Sequence, residues 1–497
     1  MSSTGSPLVL GIDAGTSGLK AVLATPDGEI VGRARADYAT KRPQAGHAEQ
    51  DPQDWWNALV LAVRNAVADA RAIPSRVAAI AVSGQGCAVT LVDGHGDIVR
   101  PAIIWMDSRA EAQSDLLRER CADEILRVNG KAPAPYNAEP SLMWLAQNEP
   151  ESLERASHSL TTTGYLTFRL ARTPVANVSD ASICFAFDLA KRTWSEDLIE
   201  AFELPRRLYP ALAECTDVVG RLSASAASDL GLESGTPVAA GGEDTSCTGL
   251  ALGVVSPGEA LLSLGTAGTV YVAQETIPIH ARLLTFLHVV PGASLIGGST
   301  AAVGAALEWC REAIGGGIEL GQLTELAGTA RPGSCGVVFL PYLSGELQPI
   351  NDGRARGVFF GLSQSTSRAD LVRAVMEGAA FALAHNLDVA RSAGVEVAEL
   401  RAAGAPTQSE TWCQIIADIA GVPVSVPKRE TGAQLGDALL AAKSVGLVED
   451  LVAVARAAVG STRTFEPNEA LRDVYDRSFS LYRDLYPALE TQFEAAA

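Results

Sequence analysis

The chain opens with short apolar runs broken by turn residues. Val9 to Asp13 reads as a strand, Ala14 to Gly18 as a glycine-rich turn, and Lys20 to Ala24 as a second strand. Pro26-Asp27-Gly28 marks another turn, and Glu29 to Ala34 a third strand. This pattern predicts a β-meander, whereas a dinucleotide-binding βαβ unit would open a helix at the glycines. From Pro52 the period changes. Trp55, Trp56, Leu59, Ala62, Val63, Ala66 and Val67 recur at helical spacing. Val77 to Val82 is then a buried strand, Gly94 marks the turn before another strand pair, and roughly 108–160 is acidic and rich in helix signals.

Near Gly235 the texture shifts and the opening repeats. Val238 to Gly242 runs into Glu243-Asp244, Ala260 to Leu264 is a strand, Gly265 to Gly268 a turn, and Val270 to Ala273 a strand. Gly15-Thr16-Ser17-Gly18 in the first half thus has a counterpart, Gly265-Thr266-Ala267-Gly268, about half a chain later. The shared strand–turn–strand setting suggests a duplicated domain. Helical patterns follow over 299–314, 367–392, 409–420 and 433–445, and the tail from Asn468 reads as a polar surface helix.

Length changes the picture by requiring more than one core. The 497 residues fit two domains of roughly 200–250 residues each. The net charge of −19 argues against nucleic acid and anionic lipid as partners, and makes any nucleotide site depend on local donors and a metal ion. No apolar run reaches the ~18 residues of a membrane span. Met1 to Pro7 is short and polar, without a signal-peptide pattern, so the expected location is cytoplasmic. The eight cysteines (Cys87, Cys121, Cys184, Cys215, Cys247, Cys310, Cys335 and Cys413) lack Cys-x-x-Cys spacing and read as free thiols. The six histidines show no metal-ligand spacing.

Several clusters carry candidate chemistry. In Gly11-Ile12-Asp13-Ala14-Gly15-Thr16-Ser17-Gly18-Leu19-Lys20 the glycines let backbone N–H groups converge on phosphate oxygens. Thr16 and Ser17 add hydroxyls, Lys20 can reach an anion, and Asp13 can hold a hydrated Mg²⁺. The same loop also suits a tight hairpin with no ligand, and it is not a Walker A motif. Ser263 to Gly268 offers a second nest without an acid. Gly241-Gly242-Glu243-Asp244-Thr245 places an aspartate where a base could take a hydroxyl proton, or forms a solvated acidic turn. Gln85-Gly86-Cys87 and Trp105-Met106-Asp107 follow apolar strands, where α/β sites gather. Gln85, Trp105 and Asp107 are the amide, flat wall and carboxylate that a polyhydroxy ligand needs, although Trp105 by itself reads more readily as core. Gly404-Ala405-Pro406-Thr407 precedes a helix that Ser409 could cap, and its small residues would let a flat base approach.

Taken together these residues resemble the FGGY family of carbohydrate kinases, with a xylulokinase-like pattern over nearly the whole chain. Phe339-Leu340-Pro341-Tyr342-Leu343-Ser344-Gly345-Glu346, continuing through Gly357-Val358-Phe359-Phe360-Gly361-Leu362, looks like the family's second signature. Glu377-Gly378, Gly432 and Leu435-Gly436-Asp437-Ala438 match later landmarks. The resemblance implies an α/β, two-domain actin-like ATPase fold: ribonuclease H-like duplicated domains with mixed central sheets flanked by helices. Residues 1–247 would bind sugar and carry the base, and 248–497 would bind nucleotide. It further implies ATP and Mg²⁺, a small sugar or polyol substrate, and a homodimer. By motif, Asp244 is similar to the catalytic base and Asp13 to the Mg²⁺-associated acid. Thr16, Ser17, Gly265 and Thr266 match phosphate-loop positions, Gly304 a nucleotide-contacting glycine, and Gly404 and Ala405 the adenosine loop. Gln85, Gly86, Cys87, Trp105, Asp107, Tyr136 and Thr245 fall at sugar-pocket positions.

Four departures bear on the acceptor and the nucleotide loop. Xylulokinases carry Gln-Met-His where this chain has Gln85-Gly86-Cys87, so an imidazole is missing. Ser141 stands where a lysine precedes the signature tryptophan, here Trp144. Ala405 replaces a glycine, and Thr245 stands where Asn or Gln is common. A ketopentose such as xylulose is the expected acceptor, with L-xylulose, ribulose and polyols such as erythritol or a pentitol as alternatives. An inactive sugar-responsive regulator on the same fold is the rival from another class. A chaperone-like ATPase would need a peptide-binding domain for which no residues remain.

Overall fold

The computed structural model describes residues 6–429 and 431–496. The opening forms the expected meander: β1 (Leu8–Ala14), β2 (Gly18–Ala24) and β3 (Ile30–Asp37) pair antiparallel in sequence. The register sets Asp13 opposite Lys20. Helix α1 (Pro52–Asp69) is capped by Asp51, whose side chain accepts from Gln53 N–H. It buries Trp55, Trp56, Leu59, Ala62, Val63 and Ala66 against the sheet. Gly32 permits that approach, because a Cβ there would stand 2.3 Å from the Ala66 carbonyl. The strand β4 (Val77–Gly84) lies parallel beside β1, so Ser83 neighbours Asp13. With β5 (Val218–Arg221) and β6 (Pro237–Ala239), the first sheet reads β5-β6-β4-β1-β2-β3, and the two-residue strand Gly242–Glu243 also pairs with β4.

A second seven-stranded sheet repeats this plan. It contains β7 (Glu259–Leu264), β8 (Gly268–Gln274), β9 (Leu284–Leu287), β10 (Ser294–Thr300), β11 (Glu399–Ala403), β12 (Val424–Pro427) and β13 (Thr462–Phe465), in the order β9-β10-β8-β7-β11-β12-β13. As β1 pairs antiparallel with β2 and parallel with β4, so β7 pairs antiparallel with β8 and parallel with β11. The equivalence is structural as well as sequential, which a duplicated unit explains.

The site-bearing helices are α2 (Asp244–Ala251), α3 (Gly304–Ala313), α4 (Arg368–Ser392), α5 (Glu410–Ala420), α6 (Ala433–Ser444) and α7 (Leu451–Val459). Helix α4 opens with a reciprocal capping box between Ser367 and Asp370 and runs through the second core. Helix α3 starts five residues later than the apolar pattern predicts, since Ser294–Thr300 stays extended as β10. Helices α6 and α7 return to the first sheet: Ala438, Leu439 and Ala455 share a core with Val9, Val22 and Ala81. Two glycines allow the contact. A Cβ on Gly11 would stand 2.0 Å from the Gln434 carbonyl, and one on Gly436 would stand 2.1 Å from the Cys247 carbonyl. The last helix, α8 (Arg472–Ala496), is not the polar surface helix the sequence suggests. Tyr475, Tyr482, Leu485 and Phe493 form a buried stripe among its charged residues, packed on Tyr342 and Phe381.

A buried amine joins the halves. Lys131 Nζ donates to the carbonyls of Asn129 (3.1 Å), Ser182 (2.7 Å) and, on β9, Thr285 (2.6 Å), and to Asn129 Oδ1 (3.1 Å). Beside it Leu287 N–H donates to Ser182 Oγ at 2.9 Å. Among the described residues, no helix is long and apolar enough to cross a membrane.

Candidate active site

The turn between β1 and β2 is held from outside. Gln50 Nε2 donates to the Thr16 carbonyl (2.8 Å), Trp105 Nε1 to Thr16 Oγ1 (2.9 Å) and the Tyr38 hydroxyl to the Gly15 carbonyl. Ser17 is exposed, with Arg35 Nη2 at 3.4 Å from its hydroxyl, and Lys20 is half-buried on β2. The turn between β7 and β8 is gripped by the start of α3: Gly304 N–H donates to the Gly265 carbonyl (2.9 Å) and Ala305 N–H to the Thr266 carbonyl (3.0 Å). A Cβ at Gly304 would stand 2.5 Å from Gly265 O, so glycine is required. Gly404 has φ +110° and directly follows β11, which pairs in parallel with β7, the strand that feeds the same turn. A Cβ there would fall 1.8 Å from the Leu264 carbonyl. Gly265, Thr266, Gly304, Gly404 and Ala405 are thus gathered round one strand end.

At the C-terminal end of β4, Gln85 N–H donates to the Ala14 carbonyl (2.9 Å) and Gln85 Nε2 to Gln50 Oε1 (2.7 Å). Gln85 Oε1 is buried without a partner among the described residues, an acceptor left for a ligand hydroxyl. Cys87 sits at φ +58°, with Asn137 Nδ2 at 3.8 Å from its sulfur. Burial, then Glu139, pushes its thiol up to about 12, so it stays S–H and is a poor nucleophile. Gln348 Nε2, from the second half, reaches the Tyr136 hydroxyl at 3.5 Å. Trp105 is 41% exposed, as a stacking wall and not a core residue would be.

Asp107 departs from its expected role as a sugar contact. It is buried and fully engaged: Oδ2 accepts from Ala48 N–H (2.5 Å) and Arg109 Nη2 (2.7 Å), and Oδ1 from Arg109 N–H and Nε, both at 2.9 Å. Arg109 also meets Glu49 Oε1 at 2.9 Å. Asp107 therefore orders the loop that carries Trp105, through a bidentate ion pair its sequence neighbours do not reveal.

The floor of the site is acidic. Asp13, the penultimate residue of β1, has Oδ1 enclosed and unpartnered among the described residues. Burial, then Asp244, raises its carboxyl to about 7, with Lys20 pulling the other way. Asp244 opens α2 and accepts from the Thr245 hydroxyl at 3.2 Å, and burial raises it too. Asp437, on α6, is fully enclosed. Its Oδ2 accepts from Ser83 Oγ at 2.6 Å, its Oδ1 has no partner among the described residues, and burial lifts it well above its usual range. Asp13 and Asp244 both add to that rise. Desolvated acids that repel one another suit a divalent cation. The described residues contain no cluster of three or more His, Cys, Asp or Glu side chains arranged to hold a metal by themselves. A hydrated Mg²⁺ with few protein ligands fits such a donor set.

Glu243, Asp437, Tyr271 and Gln348 join the site without having been singled out from sequence. Tyr271, on β8, is buried, and the charges of Glu243, Tyr136 and Cys87 add to the burial that raises its hydroxyl. Glu243 carried one readable signal, its adjacency to Asp244. Tyr271 and Gln348 carried none, because what brings them toward Cys87 and Tyr136 spans more than a hundred residues of chain.

Comparison with known proteins settles the class. A profile of the FGGY family of carbohydrate kinases, N-terminal domain, matches residues 8–251, and that of its C-terminal domain matches 260–445. The chain belongs to the FGGY family of carbohydrate kinases. It is 30% identical over 481 residues to a xylulose kinase of Staphylococcus epidermidis, covering 96% of both chains. It is 33% identical over 438 residues to that of Escherichia coli K12, covering 88% of this chain and 89% of the other. The crystal structure of xylulose kinase from Rhodospirillum rubrum superposes with TM-score 0.91 at 30% identity, over 98% of this chain and 100% of that one. Gluconate kinase from Lactobacillus acidophilus, 24% identical, shares the fold with TM-score 0.94 over 99% and 100%. The FGGY chain described here is accordingly a two-domain α/β enzyme that phosphorylates a sugar.

Proposed function

We propose that this kinase moves the γ-phosphoryl group of ATP, with Mg²⁺, to a hydroxyl of a ketopentose, xylulose foremost. The observation that carries this is a desolvated acid pair, Asp13 and Asp244, set beside the glycine turn after β1 and near the unpartnered Gln85 Oε1 at the end of β4. The full-length similarity to xylulose kinases supports the acceptor class.

Asp244 takes the proton of the acceptor hydroxyl as its oxygen bonds the γ-phosphorus and the bond to the bridging oxygen of ADP breaks. The raised Asp244 carboxyl suits that task, since burial makes it a stronger base than an ordinary exposed carboxylate. Thr16, Ser17, Lys20, Gly265 and Thr266 hold phosphate oxygens, while Gly304, Gly404 and Ala405 receive the nucleoside. Asp13 would hold the hydrated Mg²⁺, which supplies charge neutralisation on the phosphates when bound. The acceptor lies against Gln85, Gly86, Cys87, Trp105, Tyr136 and Thr245. Tyr136 and Gln348 exclude water, which limits ATP hydrolysis. A division at residues 1–247 and 248–497, a homodimer and a cytoplasmic location complete the proposal.

One observation favours a second acceptor class. The protonated Cys87 thiol is a weak donor and cannot replace an imidazole. L-xylulose, ribulose or a polyol such as erythritol then fits as well as D-xylulose. A coupled ADP-release assay across these compounds decides. Turnover with one ketopentose supports the proposal, turnover with a polyol alone replaces it, and silence throughout with intact ATP binding favours a regulator.

A further inference from the structure

One buried amide touches both the phosphate turn and the acceptor segment. Gln50 is 1% exposed. Its Nε2 donates to the Thr16 carbonyl and to Thr40 Oγ1, both at 2.8 Å. Its Oε1 accepts from Trp55 Nε1 at 2.8 Å and from Gln85 Nε2 at 2.7 Å. The backbone on either side is anchored: the short strand Glu49–Gln50 pairs with Ala102–Ile103, and Asp51 caps α1. The direction of the Gln50 amide is therefore chemically fixed. The Thr16 carbonyl only accepts, so it faces nitrogen, and the Trp55 indole N–H only donates, so it faces oxygen. Two partners of opposite kind impose the same orientation independently.

Each end of that amide then acts on a different part of the site. The oxygen decides Gln85, which must present its own nitrogen to Gln50. Gln85 Oε1 is the atom left over, and it is buried without a partner among the described residues. A buried acceptor lacking a donor costs about 1–3 kcal/mol, which an arriving hydroxyl recovers and a carbonyl oxygen does not. The nitrogen acts on the turn between β1 and β2. In a trans peptide the C=O of one residue and the N–H of the next point opposite ways, and no peptide bond of this turn is cis. A Thr16 carbonyl held toward Gln50 turns the Ser17 N–H away from it. The Tyr38 hydroxyl, donating to the Gly15 carbonyl, does the same for the Thr16 N–H. Two successive N–H groups thus point away from the side chains that hold the turn, as an anion nest requires.

We propose that Gln50 is a positioning residue for both substrates: its nitrogen sets the turn that takes the phosphates, and its oxygen orients Gln85 to accept from a hydroxyl of the acceptor. A polyhydroxy acceptor accordingly turns a hydroxyl, and not its carbonyl oxygen, toward Gln85. The inference rests on the placing of phosphate and acceptor under the proposed function.

The test compares Gln50→Met, which keeps the length and removes the amide, with Gln85→Met, the double variant and Gln50→Glu, each shown by thermal melting to be folded. Mg·ATP affinity is measured by calorimetric titration without acceptor, and acceptor KM is measured at saturating Mg·ATP. Gln50→Met should weaken Mg·ATP by about tenfold and raise acceptor KM by about tenfold, the scale of one lost hydrogen bond at each end. Gln85→Met should raise acceptor KM by about as much while Mg·ATP affinity stays within about 3-fold. The double variant should show an acceptor KM within about 3-fold of that in Gln85→Met, because Gln50 acts there through Gln85. Gln50→Glu keeps an oxygen that accepts from Gln85, so its acceptor KM should lie within about 3-fold of wild type. Effects on acceptor KM that multiply in the double variant, or an unchanged Mg·ATP affinity in Gln50→Met, would reduce Gln50 to a polar knot of the core and overturn the proposal. Should Gln50→Met fail to fold, Gln50→Glu decides alone: an acceptor KM raised as far as in Gln85→Met overturns the inference. A wild type that binds Mg·ATP yet turns over no ketopentose or polyol would remove the acceptor reading, while the titration still tests the nitrogen end of Gln50.

Discussion

Replacing Asp13 by Asn should make the ligand-free protein more stable while removing its activity. Asp13 has an ordinary carboxyl value of 3.8 that burial and Asp244 raise to about 7. Ionising it in the folded state then costs up to about 4 kcal/mol, at about 1.4 kcal/mol per tenfold. Access from the cleft and the buried amide that replaces it trim the net gain to about 2–3 kcal/mol. The sign follows from proton binding: the folded chain holds this proton more tightly than the unfolded one. Stability contributed by the protonated form is complete below about pH 4 and is lost as pH rises through about 7. Asp13→Asn should therefore match wild type at low pH and exceed it above neutrality, by about 5 °C in Tm. Thermal melts at stepped pH, without Mg²⁺ or ATP, measure this. Equal melting at alkaline pH, or a gap that is the same at every pH, would refute the electrostatic account of the floor.

Other perturbations probe separate parts. Gly404→Ala puts a methyl group 1.8 Å from the Leu264 carbonyl at φ +110°, so KM for ATP should rise about tenfold or more while acceptor KM changes little in the surviving enzyme. Steady-state kinetics with each substrate varied in turn checks it. Lys131→Met removes one donor from four oxygens, among them the Thr285 carbonyl on β9, and should cost about 3–5 kcal/mol in a denaturant titration. Retained stability would mean that this junction is not what joins the halves.

The meander and both glycine turns were legible because strand period and turn chemistry are local signals. Asp244 stood out through its glycines and its place between the halves. What was lost depends on side-chain geometry and, for most of it, on distance along the chain. Asp107 looked available as a sugar contact, yet Arg109, two residues on, wraps both its oxygens. Gln348 meets Tyr136 only after the halves come together. The return of α6 beneath the first sheet places Asp437 against Ser83, and no local pattern around Leu435-Gly436-Asp437 announces it. The aromatic stripe of α8 was hidden by its many charges.

The most direct test is the rate of phosphoryl transfer in Asp244→Ala with Mg·ATP and the preferred ketopentose, with ATP affinity measured in parallel. A loss of about 10³-fold or more with ATP affinity within about 3-fold is the predicted result. Turnover within about tenfold of wild type would contradict the account and remove Asp244 from the chemistry.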